Sequence, residues 1–200
     1  MLDHYISGSS KRISPEAPIP VLNDTKSFFS LGGAGNVSKI LSNFNANVSL
    51  ISGIGYDDDG KKISQLLKKS KVNFLKITSK NHRTTSKLRY LSNKQYVLRV
   101  DEETIAPWDE EKIINIFLKN VQNFDVVVLS DYGKGFLSCC DKIIKIANKN
   151  KIKVLVDPKG SDYSKYSGSF LVKPNEKEFE EIAGICLTED QYNKSANVII

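Results

Sequence analysis

"FFSLGGAGNVSKIL", residues 28 to 41, sets an apolar run, three glycines and a helical pattern in succession. Glycine lets backbone approach a ligand closely, and the free N–H groups at a helix start favour anions. A nucleotide phosphate is therefore the first ligand to test. The dinucleotide fingerprint demands glycines at its first, third and sixth positions. From Gly33 the chain reads Gly33, Ala34, Gly35, Asn36, Val37, Ser38, and the sixth position fails. No Gly-Lys-Ser/Thr follows, which argues against a P-loop, and no acidic strand end stands about 20 residues on. The glycines call for another ligand.

Working outward, Val37, Ile40, Leu41 and Phe44 recur at i, i+3, i+4 and i+7 and predict a helix over about 34–44. A strand "VSLISGIG" follows, then a helix burying Ile63, Leu66 and Leu67, and later one burying Ile113, Ile114, Phe117 and Leu118. The second half repeats the alternation: "DVVVLSD", a helix through Cys140, Ile143, Ile144 and Ala147, then "KVLVD", "SFLVK" and a helix over about 176–183. Continuous apolar strands between helices predict an α/β, doubly wound, mostly parallel sheet buried on both faces. Two stretches break the pattern. Residues 11–30 hold three prolines and extended apolar pieces, and "TTSKLRYLSNKQYVLRVD" reads as two strands joined near Ser92, Asn93 and Lys94. They predict a small separate β sheet, with the α/β core over about 31–80 and 102–200. The chain opens on Leu2 and Asp3 with no strand before them and stops on the apolar "ANVII", so it reads as a fragment cut at both ends, with Asp3 lacking an anchor.

The chain has 200 residues, 40% of them hydrophobic, which is enough for a proper core. Its net charge of +6 comes from lysines spread along helical segments, while arginine occurs only at 12, 83, 89 and 99. Specific phosphate and base contacts favour arginine, so nucleic-acid binding is not expected. The cysteines, 139, 140 and 186, are odd in number and form no CxxC, which indicates neither a disulfide framework nor a zinc site and suits a reducing cytoplasm. No signal peptide or membrane-spanning run is apparent.

Three strands end in polar groups, at Asp131, at Asp157, and at Lys173 to Glu178. Open α/β sheets bind ligands beyond the carboxyl ends of their strands, so these ends mark one crevice. Each aspartate alone also suits a turn or helix cap, and Asn175 with Glu178 has capping-box spacing. In the small sheet, alternation puts Lys87 and Arg89 on one face, and Arg99 and Asp101 on one face of the partner strand. A basic face near a glycine loop suits an anionic substrate; the alternative is an edge strand protected by charge. His4 and His82 are too few for a metal site, and Trp108 precedes a helix start with Asp109 as its cap.

Together these residues resemble the ribokinase-like (PfkB) sugar kinases. "LGGAGNVSKILSNFNANVSLISGIGYDDDG" is similar to that family's first signature, a Gly-Gly loop and helix leading to a strand and a Gly-x-Asp-x-x-Gly turn, here Gly55 to Gly60. "RISPEAPIPV", "LSDYGKG", "DPKG" and "PNEKEFE" resemble the members that phosphorylate D-glycero-D-manno-heptose 7-phosphate at O1 for ADP-heptose and lipopolysaccharide core synthesis, often fused to an adenylyltransferase. The resemblance implies that Gly32, Gly33, Asn36 and Asp3 hold sugar hydroxyls and that Lys87, Arg89 and Arg99 face the sugar phosphate. It puts Asp131 and Lys134 at the substrate crevice, and Asn175, Glu178, Asp157 and Lys159 beside ATP, with Glu178 indirectly at Mg2+. The small sheet becomes a lid and homodimer interface. The family's catalytic base lies in a Gly-Ala-Gly-Asp element that is absent from these 200 residues; the resemblance implies that the first strand and the C-terminal nucleotide half, with most of the ATP pocket, are absent too, so the fragment is expected to be inactive alone. A non-catalytic sugar-phosphate-binding or dimerising remnant, and a kinase for another sugar, remain open alternatives.

Overall fold

A strand that pairs on both of its sides, β1 (Leu2–Ser9), organises the first half of the protein in a computed structural model that describes residues 1–184 and 188–191. β1 pairs antiparallel with β2 (Asn23–Leu31) on one side. The glycine loop then leads into α1 (Ala34–Asn43), β3 (Ser49–Gly55), α2 (Asp58–Lys69) and β4 (Asn73–Ser79). A hairpin of β5 (Ser86–Ser92) and β6 (Gln95–Glu102) follows, with β5 parallel to the other side of β1. The resulting sheet has the order β2-β1-β5-β6, while β3 and β4 form a parallel pair. The hairpin turn falls where Ser92, Asn93 and Lys94 predicted it, with Asn93 and Lys94 at positive φ.

The sequence reading left β1 and β4 outside its strands and gave Asp3 no anchor. In the structure, by contrast, Asp3 belongs to β1 and is paired with Ser30 and Lys87 on its two sides. Leu2, at the base of the same strand, is fully buried with Leu31, Ile54, Ile63, Leu67 and Val72. The proline-rich stretch before β2 contributes one isolated bridge, between Ile13 and Pro20.

The chain divides into two units, Met1–Thr104 and Ile105–Ile200. The second contains α3 (Glu110–Asn120), β7 (Val126–Ser130), α4 (Cys140–Lys149), β8 (Lys153–Asp157), β9 (Leu171–Val172) and α5 (Glu176–Ala183). β7, β8 and β9 are parallel and lie in that order. α3 is started by Asp109, whose side chain accepts the Lys112 N–H at 3.1 Å. Ile143, Ile144 and Ala147 on α4 are buried, as are Val154 and Val156 of β8, so α4 covers one face of this sheet. Cys139 and Cys140 are free and buried; Cys186 and the "ANVII" ending lie outside the described residues. Among the described residues, no helix is long and apolar enough to cross a membrane.

Candidate functional site

In the first unit, cross-strand register gathers the charged candidates. Asp3 lies opposite Lys87 and Tyr5 opposite Arg89 on β5, while Lys87 and Arg89 face Asp101 and Arg99 on β6. Alternation then gives Asp3, Tyr5, Phe28, Lys87, Arg89, Arg99 and Asp101 a common face. The Arg89 guanidinium donates to Asp3 at 2.6 Å, with both side chains mostly buried. Lys87 bonds Asp101 at 2.7 Å, and the Arg99 Nε meets the other Asp101 oxygen at 2.9 Å. The Lys87 hydrogen bond, helped by the Lys87 and Arg99 charges, holds the Asp101 carboxyl below its ordinary range. Burial works against the Arg89 charge, but Asp3 outweighs it and leaves the guanidinium more basic than usual. Three cations thus meet two carboxylates on one face.

Aromatic rings extend that face. Tyr5 and Phe28 stack at 4.7 Å with their rings nearly parallel at 7°, and Arg89 lies over Tyr5 at 5.2 Å. Phe28 remains half exposed. Beside them, Gly32 donates its N–H to the Met1 carbonyl at 3.0 Å, and a methyl at position 32 would stand 2.7 Å from Asp3 Oδ2. Gly33, at φ 55°, caps α1 without a side-chain acceptor, and the helix has no acidic residue in its first turn. Its first N–H groups are therefore available to a ligand, and Asn36 is exposed in that same turn.

The Gly-x-Asp-x-x-Gly turn has a structural task. Asp57 accepts from the Gly60 N–H at 2.8 Å, from the Thr84 N–H at 2.8 Å and from the Thr84 hydroxyl at 2.6 Å. Thr84 Oγ1 in turn accepts the Gly55 N–H at 2.8 Å. This knot joins the end of β3, the start of α2 and the lead into β5. Burial raises the Asp57 pKa, but the Thr84 and Gly60 hydrogen bonds overcome it and leave the carboxyl below its ordinary value.

In the second unit, Asp131, Asp157 and Lys173 stand together at the carboxyl ends of β7, β8 and β9, since Ser130 pairs with Asp157 and Val156 with Val172. Lys134 follows Asp131 in the same loop. Asn175 caps α5 by accepting the Glu178 N–H at 2.9 Å, and Glu178 returns a bond to the Asn175 N–H at 3.2 Å. The other Glu178 oxygen meets Lys159 at 3.0 Å. Burial raises the Glu178 pKa, yet the Asn175 and Lys159 bonds prevail and hold it low; the Glu178 bond also makes Lys159 more basic.

Asp131 lies at the carboxyl end of β7, where it was expected. Its side chain is buried, with one oxygen accepting the Gly133 N–H at 2.8 Å and the other meeting Tyr166 at 2.6 Å and Lys165 at 2.9 Å. Both carboxylate oxygens are thus engaged within the protein, which anchors the loop after β7 at the strand ends. Sequence reasoning missed Lys165 and Tyr166, which follow Asp131 by more than thirty residues. It also missed Tyr5, Phe28 and Thr84. The alternation of Asp3, Tyr5 and Ser7 was the available signal for Tyr5; a lone threonine or phenylalanine offered none.

Comparison with known proteins adds an independent line. The profile of the pfkB family of carbohydrate kinases matches residues 9–199. The bifunctional protein HldE of Aliarcobacter butzleri is 46% identical over 196 residues, which cover 95% of this chain and 41% of that protein. The bifunctional protein HldE of Haemophilus influenzae is 40% identical, over 100% of this chain and 42% of its own length. The chain thus spans about two fifths of the length of these curated relatives. Among solved structures, Arabidopsis thaliana ribokinase complexed with ribose and ATP superposes with a TM-score of 0.73 at 16% identity, over 99% of this chain and 65% of that one. Escherichia coli phosphofructokinase-2 in complex with fructose-6-phosphate gives 0.70 at 22% identity, over 100% and 66%. At these identities the structural likeness establishes the fold.

Proposed function

Because the chain belongs to the pfkB family of carbohydrate kinases, we propose that it is the substrate-binding part of an ATP-dependent kinase that phosphorylates D-glycero-D-manno-heptose 7-phosphate at O1 in the synthesis of ADP-heptose for lipopolysaccharide. The observation that carries this reading is the sheet face where Lys87, Arg89 and Arg99 converge around Asp3 and Asp101, in the same unit as the Gly32–Gly33 loop. Arginine offers five N–H donors in a fork that matches phosphate geometry. Arg89 uses only part of that capacity on Asp3 and the Lys87 carbonyl, so the 7-phosphate takes the rest. Gly32, Gly33, Asn36 and Asp3 take sugar hydroxyls, and the half-exposed Phe28 offers an apolar flank to the sugar ring.

Phosphoryl transfer depends on positioning and on neutralising charge. Lys159, Asp157, Asn175 and Glu178 are assigned to the nucleotide side, with Lys134 at the crevice. Magnesium relies on phosphates, waters and only one or two carboxylates. Among the described residues no group of three or more acidic, histidine or cysteine side chains forms a cation site. Glu178, already bonded to Lys159 and Asn175, suits an indirect role through water. The ion, when bound with ATP, would neutralise charge on the phosphates. The family's proton acceptor, a Gly-Ala-Gly-Asp element, is not in these residues, so the reading gives this chain binding and positioning. Leu98 and Val100, exposed on the sheet face opposite Arg99, support a homodimer through the lid.

Calorimetry with the 200-residue chain tests the reading. Saturable binding of D-glycero-D-manno-heptose 7-phosphate, at least tenfold tighter than fructose 6-phosphate and weakened at least tenfold by Arg89→Ala, is expected for a fork contact to phosphate. Equal affinity for the two sugars, or an unaffected Arg89→Ala variant, would refute it.

A further inference from the structure

Tyr166 sits in a short 3-10 turn, Ser164–Tyr166, between β8 and β9, and is 1% exposed. Its ring is packed edge-on against Tyr163 at 5.6 Å, and the Lys165 ammonium lies over it at 4.8 Å. Its hydroxyl joins two loops. It donates to Asp131 Oδ2 at 2.6 Å and accepts the Lys159 N–H at 3.0 Å. Asp131 opens the loop after β7, whose turn it closes by accepting the Gly133 N–H; Lys159 belongs to the loop after β8. Burial and the Asp131 bond push the Tyr166 hydroxyl far above its ordinary range, so it stays protonated as the donor.

We infer that Tyr166 is a positioning residue of the phosphoryl-transfer site: it bolts the Asp131–Gly135 loop to the Asp157–Gly160 loop and so fixes the Lys159 and Lys165 cations at the strand ends for an anionic phosphate. The inference rests on the kinase reading above, under which these strand ends face ATP. A tyrosine is suited to the task because one hydroxyl both donates and accepts, whereas phenylalanine keeps the packing and loses both bonds. The loop after β7 also leads into a local reporter. The ring of Phe136, which follows Gly135, meets Trp108 edge-on at 5.7 Å, and Trp108 is the chain's single tryptophan.

The test compares the wild-type chain with Tyr166→Phe. Trp108 fluorescence and calorimetry follow titration with magnesium-ATP, calorimetry alone follows heptose 7-phosphate, and circular dichroism checks the fold. The expected result is about a tenfold loss of ATP affinity with sugar-phosphate affinity unchanged, a split that a merely structural role would not produce. Equal ATP affinity in the two proteins overturns the inference. Wild type that binds sugar phosphate but no ATP overturns it too and leaves the sugar assignment standing, whereas binding of neither ligand sinks the kinase reading as well. Should the variant fail to fold, native-state hydrogen exchange on wild type decides: the Gly133 and Lys159 amides must open with one common free energy, and independent opening overturns the bolt.

Discussion

Replacing Thr84 by valine isolates the knot that ties the lead into β5 to β3 and α2. Valine matches threonine in shape, so the change removes a hydroxyl that is 2.6 Å from Asp57 and 2.8 Å from the Gly55 N–H. Losing a hydrogen bond to a carboxylate costs about 1.5–3 kcal/mol, and leaving a buried N–H without its acceptor costs about 1–3 kcal/mol. The two losses share one group and do not add fully, so the expected destabilisation is about 2–4 kcal/mol. For a chain of this size that is a fall in Tm of roughly 5–15 °C, read by circular dichroism. Hydrogen exchange should quicken at residues 55–60 in particular. Thr84→Ser keeps the hydroxyl and should lose less than half as much. The penalty should also shrink in acid. The folded Asp57 pKa lies below its unfolded value of 3.8, so its contribution is present above that value and is lost as pH falls through the folded one. A valine variant within about 0.5 kcal/mol of wild type, the spread of ordinary surface changes, or a serine variant as weak as valine, would refute the argument.

Three further outcomes are expected. Gly32→Ala puts a methyl 2.7 Å from Asp3 Oδ2, displaces the carboxylate from Arg89, and should weaken heptose 7-phosphate binding about tenfold; unchanged affinity by calorimetry would count against the shared site. Asp131 is held below its ordinary pKa because the Tyr166, Gly133 and Lys165 contacts outweigh its burial. Its stabilising contribution is thus full above pH ~4 and fades as pH falls through the lower folded value, so the urea midpoint of wild type should fall more between pH 5 and 3 than that of Asp131→Asn. Burial, with the Glu110 charge behind it, pushes the Cys139 thiol up to about 11; since the thiolate is the reactive form, maleimide labelling at pH 7 should be slow in the native chain and fast in urea, as peptide mass spectrometry will report.

The helices were the most legible part of the fold. α1, α2, α3 and α4 each carry apolar residues at helical spacing, and the buried Ile63 and Leu67, Ile113 and Phe117, and Ile143, Ile144 and Ala147 are among those that the periodicity selects, whereas Leu118, selected with them on α3, is exposed. Strands with unbroken apolar runs, such as β7 and β8, were equally readable. β1 and β4 were not. β1 mixes apolar and polar residues on both faces, because one face carries the charged cluster around Asp3 and only Leu2 reaches the core cluster. β4 interrupts its alternation with Phe74 and Leu75 side by side, and its strand identity comes from parallel pairing with β3. Pairing partners distant in sequence leave no local mark.

The same reason explains what the site reading got and what it lacked. Lys87, Arg89 and Arg99 are visible as a basic alternation, but Asp3 lies 86 residues from Arg89, and nothing between them announces the pair. The structure turns a patch that looked openly cationic into one already compensated by Asp3 and Asp101. That changes the recognition problem. A neutral sugar has no charge with which to compete for the arginines, whereas a phosphate replaces carboxylate contacts with bidentate ones of its own and restores the balance. Under the proposed function, compensation would favour discrimination over raw affinity: the carboxylates keep the buried guanidinium satisfied in the free protein and would set the threshold that an anionic substrate alone can cross.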